Sequence, residues 1–171
     1  MRMNESIYYK SPIGILQLKN SGNAIAALIF VNKEGRPEIK ETDIEFSTPQ
    51  SPVIKKCIKQ LDQYFKGELF DFNLDLNQEG TAFQQQVWDE LLKIKFGRTE
   101  SYLGLSKRMG NIKAIRAVGT ANGRNNIAII VPCHRVIGSN GSLVGYGGDL
   151  WRKKWLLEHE AKFANGVQTL F

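Results

Sequence analysis

The chain of 171 residues fits one domain or two small ones, and its 42% apolar and 23% charged residues are those of an ordinary globular protein. No apolar run nears the roughly 18 residues that a membrane crossing needs, and the opening MRMNESIYYKS lacks a secretory-type apolar stretch, so an intracellular, cytoplasmic protein is expected. The net charge of +6 is lopsided, with ten Lys and Arg against eleven Asp and Glu in residues 1–80 but thirteen against six in residues 81–171, which points to a polyanionic partner, nucleic acid ahead of membrane.

In chain order, Ile7–Lys10 and Gly14–Leu18 flank a Ser11-Pro12 break, and Ala24–Val31 follows the turn cluster Asn20-Ser21-Gly22-Asn23. A small antiparallel sheet follows from that pattern. Residues 32–51 are polar, contain Pro37 and Pro49, and suit an irregular connection. Ser51 as cap and Pro52 at the first helical position predict a helix that stops before Gly67, with an apolar stripe of Ile54, Cys57, Ile58, Leu61 and Phe65. Cys57 thus points into a core. Alternation at Phe70, Phe72 and Leu74 predicts a further strand within residues 68–80.

The second half reads differently. Thr81 and Gln84 form a capping box, and Phe83, Val87, Leu91 and Ile94 continue one helical face to about Lys95. Ser101 caps a short helix through Arg108, Gly110 ends it, and a second short helix is expected from Lys113 to about Asn122. Such a pair in the basic half predicts a helix-turn-helix. The apolar run 127–131 feeds Pro132-Cys133-His134-Arg135, a Gly-rich stretch spans Gly138 to Gly148, and a last helix runs from Asp149 to about Phe163 with Trp151 and Trp155 on it. The chain is therefore read as α/β (α+β). A strand-rich domain with one helix occupies 1–80, a mainly helical domain with the helix-turn-helix occupies 81–163, and 164–171 is a loose tail.

Cys133 followed by His134 is the pair that draws chemistry. A free cysteine at a strand end is most simply a core residue, whereas a thiol beside a histidine base is a candidate nucleophile. Neighbours in an extended chain point to opposite sides, so the two would communicate through a water, or the chain bends sharply there. Zinc lacks support, because His159 is the only other histidine and no ligand spacing is present. A disulfide between Cys57 and Cys133 would be at odds with a reducing compartment.

Pro132-Cys133-His134-Arg135-Val136 resembles the active-site signature of the O(6)-alkylguanine-DNA alkyltransferases, the methylated-DNA–protein-cysteine methyltransferases. Its surroundings match too: Phe83-Gln84, Val87-Trp88, Gly97-Arg98-Thr99-Glu100-Ser101-Tyr102, Arg116-Ala117-Val118-Gly119, Asn125, Gly145-Tyr146, Gly148 and Trp155-Leu156-Leu157-Glu158-His159-Glu160. The resemblance is strong over 81–163 and loose before it, resting there on Ser11-Pro12-Ile13-Gly14.

It implies repair of O6-alkylguanine, and of O4-alkylthymine as an open extension, by irreversible, cofactor-free, single-turnover transfer to Cys133. His134 would act as water-linked base oriented by Glu160, and Asn125 would support the thiolate loop. Tyr146, Val136 and Gly148 would shape the base pocket, with backbone near Cys133 and Val136 bonding guanine. Arg116 would fill the stack vacated by a flipped nucleotide, and Tyr102 would crowd its phosphate. Ala114, Ala117 and Gly119 would let the helix approach the minor groove closely, and Arg135 would complete the DNA-contacting set. A monomer acting on double-stranded DNA, without structural metal, is implied.

Each residue has a plainer reading: Arg116 as a phosphate contact, Tyr102 as a core edge, Glu160 as a lysine partner, Asn125 as a turn former. Lys95-Phe96, Asn126 and Gly147-Gly148-Asp149 depart from the family's common pattern and bear on substrate breadth. Two other functions fit the same frame. An alkyltransferase-like lesion sensor would replace the acceptor cysteine, and a helix-turn-helix regulator would need no thiol.

Overall fold

The computed structural model describes residues 4–144 and 149–165, which fall into two compact units. The first runs to Glu79 and takes in Asn126–Ala128; the second comprises Gly80–Asn125 and continues from Ile129.

Three strands, β1 (Ser6–Ser11), β2 (Gly14–Ser21) and β3 (Ala24–Phe30), form an antiparallel sheet in the order β1-β2-β3. Their short connections follow from local chemistry. The Ser11 hydroxyl donates to the Gly14 carbonyl at 2.6 Å and closes the first hairpin. Gly22, at φ 59°, takes the left-handed conformation that the second requires. Leu16 and Leu18 alternate into the core with Ile25, Leu28 and Phe30.

Helix α1 (Pro52–Phe65) packs on β2 and β3 through Ile54, Cys57, Leu61 and Tyr64. Its buried face is turned slightly from the expected stripe. Tyr64 and Gln60 are buried, whereas Ile58 and Phe65 are half-buried. Ser51 occupies the cap position without capping: its hydroxyl accepts from the Asn20 amide, and Glu5 instead receives the Gln50 and Ser51 N–H groups.

The strand expected within 68–80 is corrected by this structure to an extended segment with a single bridge. Asn73 is held by both ends of the Gln60 amide, at 2.9 and 3.0 Å, and only Leu76 pairs with the sheet, opposite Ile25. The backbone that a ladder would use is thus taken by a side chain. On the same edge of β3, Leu28 bonds the backbone of Asn126 and Ala128.

In the second unit, α2 (Ala82–Leu91) starts on the expected capping box, with Thr81 and Gln84 bonded reciprocally. It ends at Leu91 rather than near Lys95, in tight turns that lead to Gly97 at φ 77°. Ser101 caps α3 (Tyr102–Arg108) by accepting from the Gly104 N–H at 2.8 Å. Gly110, at φ 76°, turns the chain into a 3₁₀ turn (Ile112–Ala114) and α4 (Ile115–Gly123), giving the helix-turn-helix. Trp88 of α2 donates to the Ala121 carbonyl at 2.9 Å and locks α4 in place. Two-residue strands β4 (Glu100–Ser101) and β5 (Val136–Ile137) pair in parallel; they are too short to show in a sequence pattern. Last comes α5 (Leu150–Ala164).

Cys57 is fully buried, and burial pushes its thiol up to about 12. It stays protonated and unreactive at neutral pH. Cys57→Ser is expected to cost about 1–3 kcal/mol of stability by leaving a hydroxyl in an apolar site, read as a lower urea midpoint.

Candidate active site

Cys133 opens a 3₁₀ turn, Cys133–Arg135, where the chain reverses sharply. Pro132, at φ −83° and ψ 63°, forms an inverse γ-turn in which the Cys133 N–H donates to Val131 at 2.8 Å. The sharp bend that the sequence left open is present. Upstream, Ile129 sits at φ 72° although it is β-branched and buried, a conformation costing about 1–3 kcal/mol that the surrounding packing must impose.

Asn125 braces this turn from the end of α4. Its amide Nδ2 donates to the Val131 carbonyl at 2.8 Å and lies 3.2 Å from Cys133 Sγ. Asn122, one turn earlier, approaches the Cys133 carbonyl at 3.4 Å. Cys133 itself is only 6% exposed.

Behind the turn lies a buried charge cluster. His134 Nε2 is 2.7 Å from Glu160 Oε2, and Arg135 donates Nε and Nη2 to the same carboxylate at 2.8 and 3.1 Å. The Gly97 N–H adds a fourth donor at 3.3 Å. Burial pushes the Glu160 carboxyl up, but His134 and Arg135 outweigh it and hold it well below the usual carboxylate range. For His134 burial dominates, and despite Glu160 it holds the imidazole below its ordinary value. The resting state is therefore a neutral imidazole against an ionised carboxylate. Because a carboxylate only accepts, Nε2 carries the proton and Nδ1 keeps its lone pair. Nδ1 is buried without a hydrogen-bond partner among the described residues.

Arg135, expected to contact DNA, is corrected by this arrangement. It is 6% exposed, bidentate to Glu160 and bonded to the Ile94 carbonyl, so it serves the interior. The other predicted DNA residues lie on or near the outer face of α4. Arg116 and Ala117 are exposed, and Ala114 and Gly119 are half-buried. A Cβ at Gly119 would meet the Tyr102 ring at an ordinary 3.8 Å, so internal packing does not require glycine there. Tyr102 is half-buried and donates to the Val144 carbonyl at 3.1 Å. Val136 is fully buried. Tyr146 and Gly148 lie outside the described residues.

Sequence reasoning passed over Lys153 and Asn122. Lys153 is fully buried on α5, and its ammonium donates to the Val136 carbonyl and, at 2.8 Å, to that of Val144. Burial pushes it down to about 8, with the charge of Cys133 opposing. A lysine in the sequence Trp151-Arg152-Lys153-Lys154-Trp155 reads as a solvated helix face; only its seven-residue spacing from Glu160, two helical turns, hints that it turns inward.

Two family models cover nearly the whole chain: the 6-O-methylguanine DNA methyltransferase ribonuclease-like domain over residues 6–78, and the DNA-binding domain of the same enzyme over residues 82–162. A methylated-DNA–protein-cysteine methyltransferase of Mycobacterium tuberculosis is 44% identical over 168 residues, covering 96% of this chain and 99% of its own length. The chain belongs to the methylated-DNA–protein-cysteine methyltransferase family. Among solved members, the Mycobacterium tuberculosis O6-methylguanine methyltransferase superposes with a TM-score of 0.78 at 45% identity, each chain covered to 93%. The M. tuberculosis OGT solved in complex with DNA gives 0.78 at 44% identity, over 91% of this chain and 92% of that one. The expected α+β fold and family membership are thus borne out.

Glu160→Gln would leave Arg135 buried without its counter-charge, and a loss of about 3–5 kcal/mol is expected in chemical denaturation. A carboxyl held low stays ionised in the folded chain while the unfolded chain takes up a proton. Its contribution is therefore complete above roughly pH 4.3 and falls away as the pH drops below that value. The variant should lack that part of the acid dependence.

Proposed function

We propose that Cys133 is the residue onto which this DNA-repair methyltransferase moves the alkyl group. What supports the reading is the neutral His134, whose Nε2 proton is committed to Glu160 and whose buried Nδ1 is left able to accept a proton. A water between Nδ1 and Sγ would carry the thiol proton to the imidazole, and Glu160 would stabilise the resulting cation. The thiolate then attacks the alkyl carbon on O6. The C–S bond forms as the C–O bond breaks, and the electron pair returns to the base, which takes up a proton. Lys153 places a positive charge near Cys133 that favours the thiolate, and Asn125 aims the sulfur by holding the turn.

The product is a thioether with no easy leaving route, so the reaction ends after one event. Transfer is carried by the second unit, which also holds the basic helix-turn-helix. The O6 atom is hidden inside a duplex, so the nucleotide must be flipped out, with Arg116 filling the gap and the small residues of α4 allowing a minor-groove approach. No helix among the described residues is long and apolar enough to cross a membrane, and a cytoplasmic site of action agrees with a DNA substrate.

Incubation with methylated duplex should add one methyl mass per protein, mapped to Cys133. Cys133→Ser should abolish transfer and keep DNA binding, since a hydroxyl is a far weaker nucleophile at neutral pH. Turnover beyond one equivalent, or methyl on Cys57, would overturn the assignment.

Arg116→Ala separates two roles of one residue. As a stack filler, Arg116 matters only when a base is extruded, so transfer from duplex should fall by about two orders of magnitude or more, a loss of a few kcal/mol. Reaction with free alkylguanine should barely change. As a mere phosphate contact, it would weaken binding to all DNA alike and lower the salt slope by about one unit.

A further inference from the structure

Asn125, whose amide braces Val131 and the Cys133 sulfur, is joined by its peptide bond to Asn126, a residue of the first unit. There the segment is gripped at three points. The Leu28 N–H donates to the Asn126 carbonyl at 2.8 Å, the Ala128 N–H donates to the Leu28 carbonyl at 2.9 Å, and the Asn126 N–H donates to Gln78 Oε1. The first two are backbone bonds of the strand kind, open to almost any sequence. The third depends on one side chain.

Gln78 offers that N–H a fixed acceptor. Ile25 of β3 bonds the backbone of both Asp75 and Asn77 at 2.8 Å, so the chain just before Gln78 is tied to the sheet, and Gln78 itself is buried. A peptide unit is planar. Holding the Asn126 N–H therefore holds the plane that also contains the Asn125 carbonyl and α-carbon, and constrains the direction in which the Asn125 side chain leaves the backbone. We infer that Gln78 is a positioning residue for alkyl transfer: it sets Asn125, and through Asn125 the Cys133 sulfur. This rests on Cys133 being the alkyl acceptor. Asn126 is a position where the chain departs from the family's common pattern, so the acceptor that its N–H finds is particular to this sequence.

The test compares Gln78→Leu, similar in size but without an acceptor, with Gln78→Glu, which keeps an acceptor oxygen. Single-turnover transfer is measured well below every thermal midpoint. With methylated duplex, Gln78→Leu should lower the limiting rate by about tenfold to a hundredfold, the scale of a reacting group misplaced by about 1 Å, and leave the half-saturating DNA concentration unchanged. Reaction with free O6-methylguanine should fall by the same factor, because the sulfur and not the duplex is out of place. Arg116→Ala, by contrast, spares the free base. Gln78→Glu should restore most of the rate. Should the leucine variant fail to fold, Gln78→Ala takes its place with the same expectations. A merely structural Gln78 would lower the thermal midpoint and leave the limiting rate below it unchanged, and that result overturns the inference. So does a loss confined to duplex DNA, or a glutamate variant as slow as the leucine one. Wild-type protein that takes no methyl from either substrate would strike instead at the assignment of Cys133.

Discussion

One buried carboxylate organises the second unit. Glu160 gathers His134, Arg135 and the Gly97 N–H around two oxygens, and each of those partners does something that its own sequence neighbourhood would not secure. The imidazole acquires a fixed tautomer. The guanidinium is drawn inside, where it ties the Cys133–Arg135 turn to the tight turns after α2 through the Ile94 carbonyl. The glycine loop before α3 is anchored to α5, and a Cβ at Gly97 would collide with Ala164. Replacing such a cluster by apolar packing is often neutral or stabilising in proteins generally, so its ion pairs alone do not account for the stability of the second unit.

The same helix that presents residues outward also reaches the reacting sulfur. On α4, Arg116 and Ala117 face solvent while Val118, Ala121 and Asn122 face inward, a division that follows from 3.6 residues per turn. Trp88 fixes the axis of α4 through the Ala121 carbonyl. Asn125, just beyond its last turn, holds the sulfur. Positioning on a rigid element gives better precision than positioning on a loop, and here the face proposed to meet DNA and the support of Cys133 share one.

What the sequence made legible was whatever repeats or punctuates. The hairpins, the Thr81–Gln84 capping box, the Ser101 cap and the glycine stops are local and appear where expected. The motif around Cys133 was legible because its spacing with distant segments was intact. Long-range competition for polar groups was not. Ser51 lost its capping role to Asn20, residues 68–80 lost a strand to the Gln60 amide, and Arg135 left the surface for Glu160. In each case a side chain remote in sequence offered a better partner than the local one, and no periodicity records that. Lys153 was missed for a related reason, since a charged residue on a helix is assumed to face water.

The three residues Asn126–Ala128 have a consequence for how the chain can be taken apart. They bond to Leu28 on β3, yet they follow Asn125 directly and precede the run that ends at Cys133. The polypeptide therefore passes between the units three times rather than once. Division at residue 80 would not yield two independent modules: the shorter piece would lose part of its sheet edge, and the longer would keep an unmatched apolar bight between the residue that grips the sulfur and the sulfur itself. Any circular permutation, domain transplant or split reporter made from this scaffold has to carry that stitch with the first unit's strands.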